Sequence, residues 1–92
     1  MIDGVLEKEF RISNRYGLHG RASAKLVETA RQFEADVRLV RDGEAVDCKS
    51  ILDVLTLACV QGTPVTIRIE GRDAKAAMAA LEKLVDDKFE EE

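Results

Sequence analysis

The spacing of apolar side chains predicts two amphipathic helices. Between Gly20 and Phe33 the apolar positions recur every three or four residues, with charged and polar side chains on the opposite side. A second stripe of this kind begins after Asp73 and predicts a helix of about four turns; its members are Ala74, Ala77, Met78, Leu81, Leu84 and Val85. Each helix therefore has one apolar face that must be buried against another layer.

Alternation of apolar and polar side chains predicts four strands. The first ends near Ser13, and the second spans residues 36–41. The pair Asp42-Gly43 is a strong signal for a tight hairpin, so residues 44–48 are expected to return as the third strand. The fourth covers residues 64–70, with a proline that is tolerated at the start of a strand.

A short helix is predicted between the third and fourth strands. Ser50 precedes Asp53 by three positions, the spacing of a capping box in which the serine accepts from one backbone N–H and the acid accepts from another. The helix should continue towards Cys59, before residues 61–64 break it. The order βαββαβα predicts an α+β fold: an open-faced two-layer sandwich with three helices covering one face of a four-stranded, mainly antiparallel sheet.

Length and composition restrict the class of protein. The 92 residues suit one domain, and residues 1–4 and 88–92 are expected to fray. The net charge of −4 argues against general nucleic-acid binding. There is no secretory signal and no apolar run near the roughly 18 residues of a membrane span, so we expect a cytoplasmic monomer without membrane insertion. Cys48 and Cys59 fit small buried hydrophobes, and neither a metal nor a cofactor is expected.

The single histidine, His19, lies where the polar loop of residues 14–17 meets the first predicted helix. The first turn of a helix has backbone N–H groups without intrahelical partners and a partial positive charge, and both would receive an anion attached to the imidazole. Arg21 adds a permanent cation whose planar fork suits phosphate oxygens. These residue types fit a phosphorylated histidine. The plain alternative is a surface histidine beside an unspecific anion site.

The segment Asn14-x-x-Gly17-Leu18-His19-x-Arg21, together with the order of elements, resembles HPr, the histidine-containing phosphocarrier family of the bacterial phosphoenolpyruvate-dependent phosphotransferase system. Lys49-Ser50-Ile51 and Gln61-Gly62-Thr63 resemble a second block of that family, so the resemblance covers nearly the whole chain. Family members usually have Ala or Thr after the histidine and Pro-Ala after the arginine. Here Gly20 and Ala22-Ser23 stand instead, which leaves the transfer rate and the choice of partner open.

The resemblance implies a phosphoryl relay without a cofactor. Phosphorylated enzyme I would transfer its phosphoryl group to Nδ1 of His19, and a histidine of an enzyme IIA domain would receive it. The backbone N–H of Gly20 and the side chain of Arg21 are the implied stabilising groups, since phosphoryl transfer depends on positioning and charge. The chain would then be a stoichiometric carrier rather than an enzyme.

The resemblance also implies a regulatory position and a docking surface. In Gram-positive members the serine that matches Ser50 is phosphorylated by an HPr kinase/phosphorylase, although its role as a helix cap is a sufficient structural reason for it. The two helices nearest the histidine form the family's docking surface for enzyme I and its acceptors. The side chains expected to contact partners here are apolar, with a basic rim; they are Ile51, Leu52, Leu55, Lys25 and Lys49.

Other functions stay open at this point. One is a nitrogen-type or regulatory relative that acts by binding rather than in sugar uptake. A remote one is a small phosphatase of the acylphosphatase type, which Val60-Gln61-Gly62 suggests but for which the arginine expected shortly afterwards is absent. A single-strand nucleic-acid binder is disfavoured because the chain has only one tyrosine and three phenylalanines for stacking bases.

Overall fold

The elements follow one another in the predicted order. The computed structural model describes residues 5–57 and 59–90. In chain order the elements are β1 (Val5–Arg11), α1 (Gly20–Ala30), β2 (Asp36–Arg41), β3 (Glu44–Asp47), α2 (Ile51–Thr56), β4 (Pro64–Glu70), α3 (Ala74–Asp86) and a 3₁₀ turn at Lys88–Glu90.

The strands form one four-stranded sheet in the order β1-β4-β2-β3, with antiparallel neighbours throughout. Its buried side carries apolar pairs, such as Phe10 opposite Val65 and Leu39 opposite Ile67. The other side carries charged residues, including the cross-strand pair Arg38 and Arg68, both exposed. This confirms the predicted open-faced α+β sandwich, in which the helices cover one side of the sheet.

Two helices are shorter than their apolar patterns predict. The pattern continues to Phe33, but α1 ends at Ala30 and the N–H of Phe33 turns back to the carbonyl of Ala30 at 3.3 Å. The predicted end of α2 near Cys59 is also wrong, because α2 ends at Thr56. Leu57 N–H turns back to the Val54 carbonyl at 3.2 Å, and the Cys59 carbonyl accepts a hydrogen bond from Leu18 N–H at 2.8 Å, so the backbone beyond α2 is bound to the loop before α1.

The predicted capping box at the start of α2 is half correct. Ser50 caps the helix, with its hydroxyl oxygen accepting from the N–H of Asp53 at 3.3 Å. The Asp53 carboxylate does not return to Ser50 N–H, which instead donates to the Asp47 carbonyl at 3.0 Å. The Asp53 carboxylate accepts from the N–H of Asp47 at 3.4 Å instead, and this contact joins the end of β3 to the first turn of α2.

The expected fraying from residue 88 contrasts with the packing of the residues that the structure describes there. The Phe89 side chain is only 1% exposed and belongs to the core. The turn lies against α1, where Lys25 Nζ donates to the Phe89 carbonyl at 3.0 Å and lies 3.3 Å from the Glu90 carboxylate. Residues 1–4 and 91–92 are outside the described part of the chain.

The loop before α3 is bound to the loop after α1. Asp73 accepts hydrogen bonds from the N–H groups of Glu34 and Ala35, both at 2.9 Å, instead of capping α3. The hydrogen bond from Glu34 in particular lowers the pKa of the Asp73 carboxyl, because it stabilises the ionised form. Gly71 makes the approach possible: its φ is +149°, and a Cβ there would lie 2.7 Å from Ala35 Cα.

Candidate functional site

The loop before α1 is fixed to the chain on both sides of the candidate histidine. Gly17 has φ +66°, and a Cβ on it would collide with the carbonyl oxygen of Cys59. Asn14 closes the loop, since its carbonyl accepts from Gly17 N–H at 3.1 Å and its Nδ2 donates to the Gly17 carbonyl at 2.7 Å. After the histidine, Ser23 Oγ donates to the Leu18 carbonyl at 3.0 Å. These contacts give the start of α1 a defined backbone.

His19 is the N-cap residue of α1. Its backbone is extended, with φ −83° and ψ −174°, and its carbonyl accepts the first helical hydrogen bond from Ser23 N–H at 2.8 Å. Its Nδ1 accepts a hydrogen bond from the N–H of Arg21 at 3.2 Å. A nitrogen that accepts carries a lone pair rather than a proton, so the nucleophilic nitrogen faces the positive end of the helix. The ring itself is half-buried.

Gly20 and Arg21 occupy the first two positions of α1, and both are exposed. As members of the first turn, the N–H groups of Gly20 and Ala22 have no carbonyl partner within the helix. A Cβ on Gly20 would meet nothing within 4 Å, so no close approach within this chain requires a glycine at that position. The sequence prediction of a histidine, first-turn N–H groups and an arginine at one helix end is therefore matched by their placement in the fold.

Tyr16 is a neighbour of the histidine that was not predicted from the sequence. The Tyr16 side chain is 68% exposed, and its ring centroid lies 5.9 Å from that of His19 at an interplanar angle of 82°. The guanidinium of Arg15 lies 5.5 Å from the tyrosine ring centroid. A signal was present in the sequence, because an aromatic residue in a polar loop three positions before the histidine has no core to fill.

The predicted docking residues of α2 are on the surface. Leu52 is 73% exposed, and Ile51 and Leu55 are each 38% exposed, so all three side chains are accessible to a partner. Val54 alone among the residues of α2 is buried, and α2 packs against α1. Val60 is also exposed, at 66%, but it lies outside α2 and outside the predicted docking set.

The two lysines of the predicted basic rim hold backbone carbonyls. Lys25 binds the C-terminal turn as described above, and Lys49 Nζ donates to the Phe33 carbonyl at 2.7 Å. In return Arg31 Nε donates to the Lys49 carbonyl at 2.9 Å. These two hydrogen bonds join the end of α1 to the start of α2, so Lys49 links the two helices that carry the candidate site.

The cysteines are not candidates for nucleophilic chemistry. Cys48 and Cys59 are free and buried, as predicted for small core residues. Burial raises the pKa of Cys48 to about 12 and also raises the pKa of Cys59, which keeps both thiols protonated near neutral pH. Within residues 5–57 and 59–90, no group of three or more His, Cys, Asp or Glu side chains could hold a metal ion, and no helix is long and apolar enough to cross a membrane.

Comparisons with known proteins agree with this site. Residues 6–87 match the family model described as the PTS HPr component phosphorylation site. The chain belongs to the HPr family.

Its relatives cover almost its full length. It is 43% identical over 88 residues to the phosphocarrier protein HPr of Xylella fastidiosa, covering 96% of this chain and 99% of the relative. It is 38% identical over 86 residues to the phosphocarrier protein NPr of Shewanella violacea, covering 94% of both. A crystal structure of HPr-C-His from Thermoanaerobacter tengcongensis superposes with a TM-score of 0.92 at 37% identity, covering 95% of this chain and 98% of that one. This HPr-family chain is therefore a phosphocarrier of the phosphotransferase system.

Proposed function

We propose that Nδ1 of His19 is the atom that accepts and releases the phosphoryl group. The observation that carries the proposal is the hydrogen bond from Arg21 N–H to Nδ1 at 3.2 Å, on a half-buried ring at the N-terminus of α1. It leaves the Nδ1 lone pair directed at the helix end, where first-turn N–H groups and a guanidinium are available for a phosphate.

The proposed transfer is an in-line displacement at phosphorus. The Nδ1 lone pair forms a bond to phosphorus while the bond from phosphorus to the donor breaks, and that electron pair leaves with the donor. Once the lone pair is used, Arg21 N–H no longer has an acceptor on the ring. It then joins the N–H groups of Gly20 and Ala22 as a donor to the phosphate oxygens. The Arg21 side chain supplies the cation, so no cofactor is needed and the chain acts as a stoichiometric carrier.

Phosphorylated enzyme I is the proposed donor, and an enzyme IIA domain is the proposed acceptor. We propose that this chain binds both as a monomer in the cytoplasm. Ile51, Leu52 and Leu55 supply the apolar contact, because partly exposed apolar side chains on a short helix lose water only when a partner covers them. Lys25 and Lys49 are the proposed basic rim, and each also donates to a backbone carbonyl of this chain.

Ser50 is the proposed regulatory position for an HPr kinase/phosphorylase. Ser50 is half-buried and its hydroxyl accepts from Asp53 N–H, and the Asp53 carboxylate belongs to the same turn. A phosphate on Ser50 would add nearly two negative charges beside Leu52 and close to that carboxylate, which weakens docking of any partner with an acidic surface.

A nitrogen-type or regulatory role is the second candidate. The observation that supports this role is the 38% identity to an NPr protein over 94% of this chain. Comparing phosphoryl transfer to a sugar-type and to a nitrogen-type enzyme IIA distinguishes the two, since the faster acceptor identifies the pathway.

The experiment for the main proposal is phosphorylation by enzyme I. The parent and a His19→Ala variant are incubated with phosphoenolpyruvate, magnesium and enzyme I, and an Arg21→Ala variant controls for loss of a nearby side chain without loss of the nucleophile. The parent should gain one acid-labile, alkali-stable phosphate, Arg21→Ala the same phosphate more slowly, and His19→Ala none. Equal labelling of the parent and His19→Ala would overturn the proposal.

A further inference from the structure

Tyr16 lies beside the imidazole in a position that packing of the core does not explain. Its ring is 68% exposed and contributes nothing to the buried cluster, yet it meets the His19 ring edge-on at 5.9 Å. Edge-to-face contact is a favoured geometry for two aromatic rings, because the positive edge of one lies against the negative face of the other.

The backbone that carries Tyr16 is held in place. The hydrogen bond from Gly17 N–H to the Asn14 carbonyl at 3.1 Å closes a turn with Arg15 and Tyr16 at its centre. Leu18 N–H is bound to the Cys59 carbonyl at 2.8 Å. The tyrosine ring is therefore attached to a rigid support, and the Arg15 guanidinium at 5.5 Å restrains it further by a cation–π contact.

The orientation of the His19 ring decides which atom reaches the donor. A half-turn about the bond between Cβ and the ring exchanges Nδ1 with a carbon atom, and a ring turned in this way has no nucleophile at the helix end. The hydrogen bond from Arg21 N–H, at 3.2 Å, is the restraint on one side of the ring. Tyr16 contacts the ring from the preceding loop.

We propose that Tyr16 is a positioning residue for phosphoryl transfer, which holds the His19 imidazole edge-on so that Nδ1 faces the first turn of α1. This inference rests on the proposed function of His19. An aromatic pair favours its geometry by a factor of roughly 2 to 10 in population. Loss of the ring should therefore lower the ratio of productive to unproductive ring orientations by the same factor, and the maximal transfer rate by up to that factor.

The test compares Tyr16→Phe and Tyr16→Leu in the full chain, with Val60→Ala as a control that removes another exposed apolar side chain. Long-range proton–nitrogen spectra of the His19 ring, recorded where the imidazole is neutral, report which nitrogen carries the proton, and the Arg21 amide proton reports the hydrogen bond. Tyr16→Phe and Val60→Ala should match the parent. Tyr16→Leu should raise the ratio of the Nδ1–H to the Nε2–H tautomer roughly 2- to 10-fold.

The second readout is transfer from phosphorylated enzyme I. Tyr16→Leu should lower kcat by up to that factor and leave KM unchanged, with rescue in Tyr16→Phe. An unchanged tautomer ratio in Tyr16→Leu would overturn the proposal, and so would a rise in KM alone, which would make Tyr16 a docking residue. If the parent accepts no phosphoryl group, the proposed function fails, whereas the spectra still decide whether Tyr16 orients the ring.

Discussion

Three glycines of this chain differ in backbone angle and in surrounding space, so their replacement by alanine should change stability in a fixed order. Gly20 has no positive φ, and a methyl group added to it would have no neighbouring atom within 4 Å. Gly43 has φ +81° but open space, and Gly17 combines φ +66° with a collision against the Cys59 carbonyl. The three substitutions therefore separate chain entropy, backbone angle and steric overlap.

The magnitudes follow from these differences. Gly20→Ala should raise the free energy of unfolding by about 0.4–1 kcal/mol, because alanine reduces the entropy of the unfolded chain and fits the helical backbone. Gly43→Ala should lower it by about 1–2 kcal/mol, the cost of a left-handed conformation for an L-residue. Gly17→Ala adds an overlap costing about 1–3 kcal/mol to that angle penalty, so its total loss is roughly 2–5 kcal/mol.

Thermal and urea unfolding of the three variants measure this order directly. For a domain of this size, Gly20→Ala should raise Tm by roughly 2–6 °C, while the other two variants lower it. A loss of stability in Gly20→Ala would refute the assignment of Gly20 to an unstrained helical position. A Gly17→Ala variant as stable as Gly43→Ala would refute the close packing of Gly17 against residues 59–60.

Three further predictions concern the core, the loops and the docking surface. Phe89→Ala should lower the free energy of unfolding by about 3–5 kcal/mol in urea, whereas Glu90→Gln should change it by at most about 1 kcal/mol; equal effects would contradict the burial of the ring. The lowered pKa of Asp73 stabilises the folded state above the unfolded pKa near 4, and this stabilisation is lost as pH falls through the folded value. The parent should therefore exceed Asp73→Asn in stability at pH 7, and the difference should shrink below about pH 4; a pH-independent difference would contradict this. Leu52→Ala should raise KM for enzyme I with an unchanged Tm, and an unchanged KM would remove this residue from the docking surface.

Local patterns in the sequence predicted most of the fold. The apolar stripe after Asp73 and the strict alternation after Pro64 depend only on the period of a helix and of a strand. Both α3 and β4 form where these patterns predict them. Helix ends were predicted less well because they depend on contacts distant in sequence. The Cys59 carbonyl, for example, accepts from Leu18 N–H in the loop before α1 and not from a residue of its own helix. Likewise, the Asp53 carboxylate accepts from Asp47 N–H at the end of β3 and not from Ser50 N–H.

The sequence predicted which residues form the candidate site, but only part of their geometry. The position of His19 before an amphipathic stripe was enough to place it at the helix N-terminus. Tyr16 was missed although an aromatic residue in a polar loop was a signal, and the geometry of its edge contact depends on a turn and on a loop from another part of the chain. The burial of Phe89 was missed because the acidic residues around it indicated a solvated end, while one aromatic ring outweighs several exposed charges in free energy.

The central claim, that Nδ1 of His19 holds the phosphoryl group at the first turn of α1, is tested most directly by nuclear magnetic resonance of the phosphorylated, nitrogen-15-labelled chain. We predict a coupling between phosphorus and Nδ1, together with downfield shifts of the Gly20, Arg21 or Ala22 amide protons as they bind phosphate oxygens. Phosphorus coupled to Nε2 or attached to another residue, or first-turn amides that do not move, would contradict it.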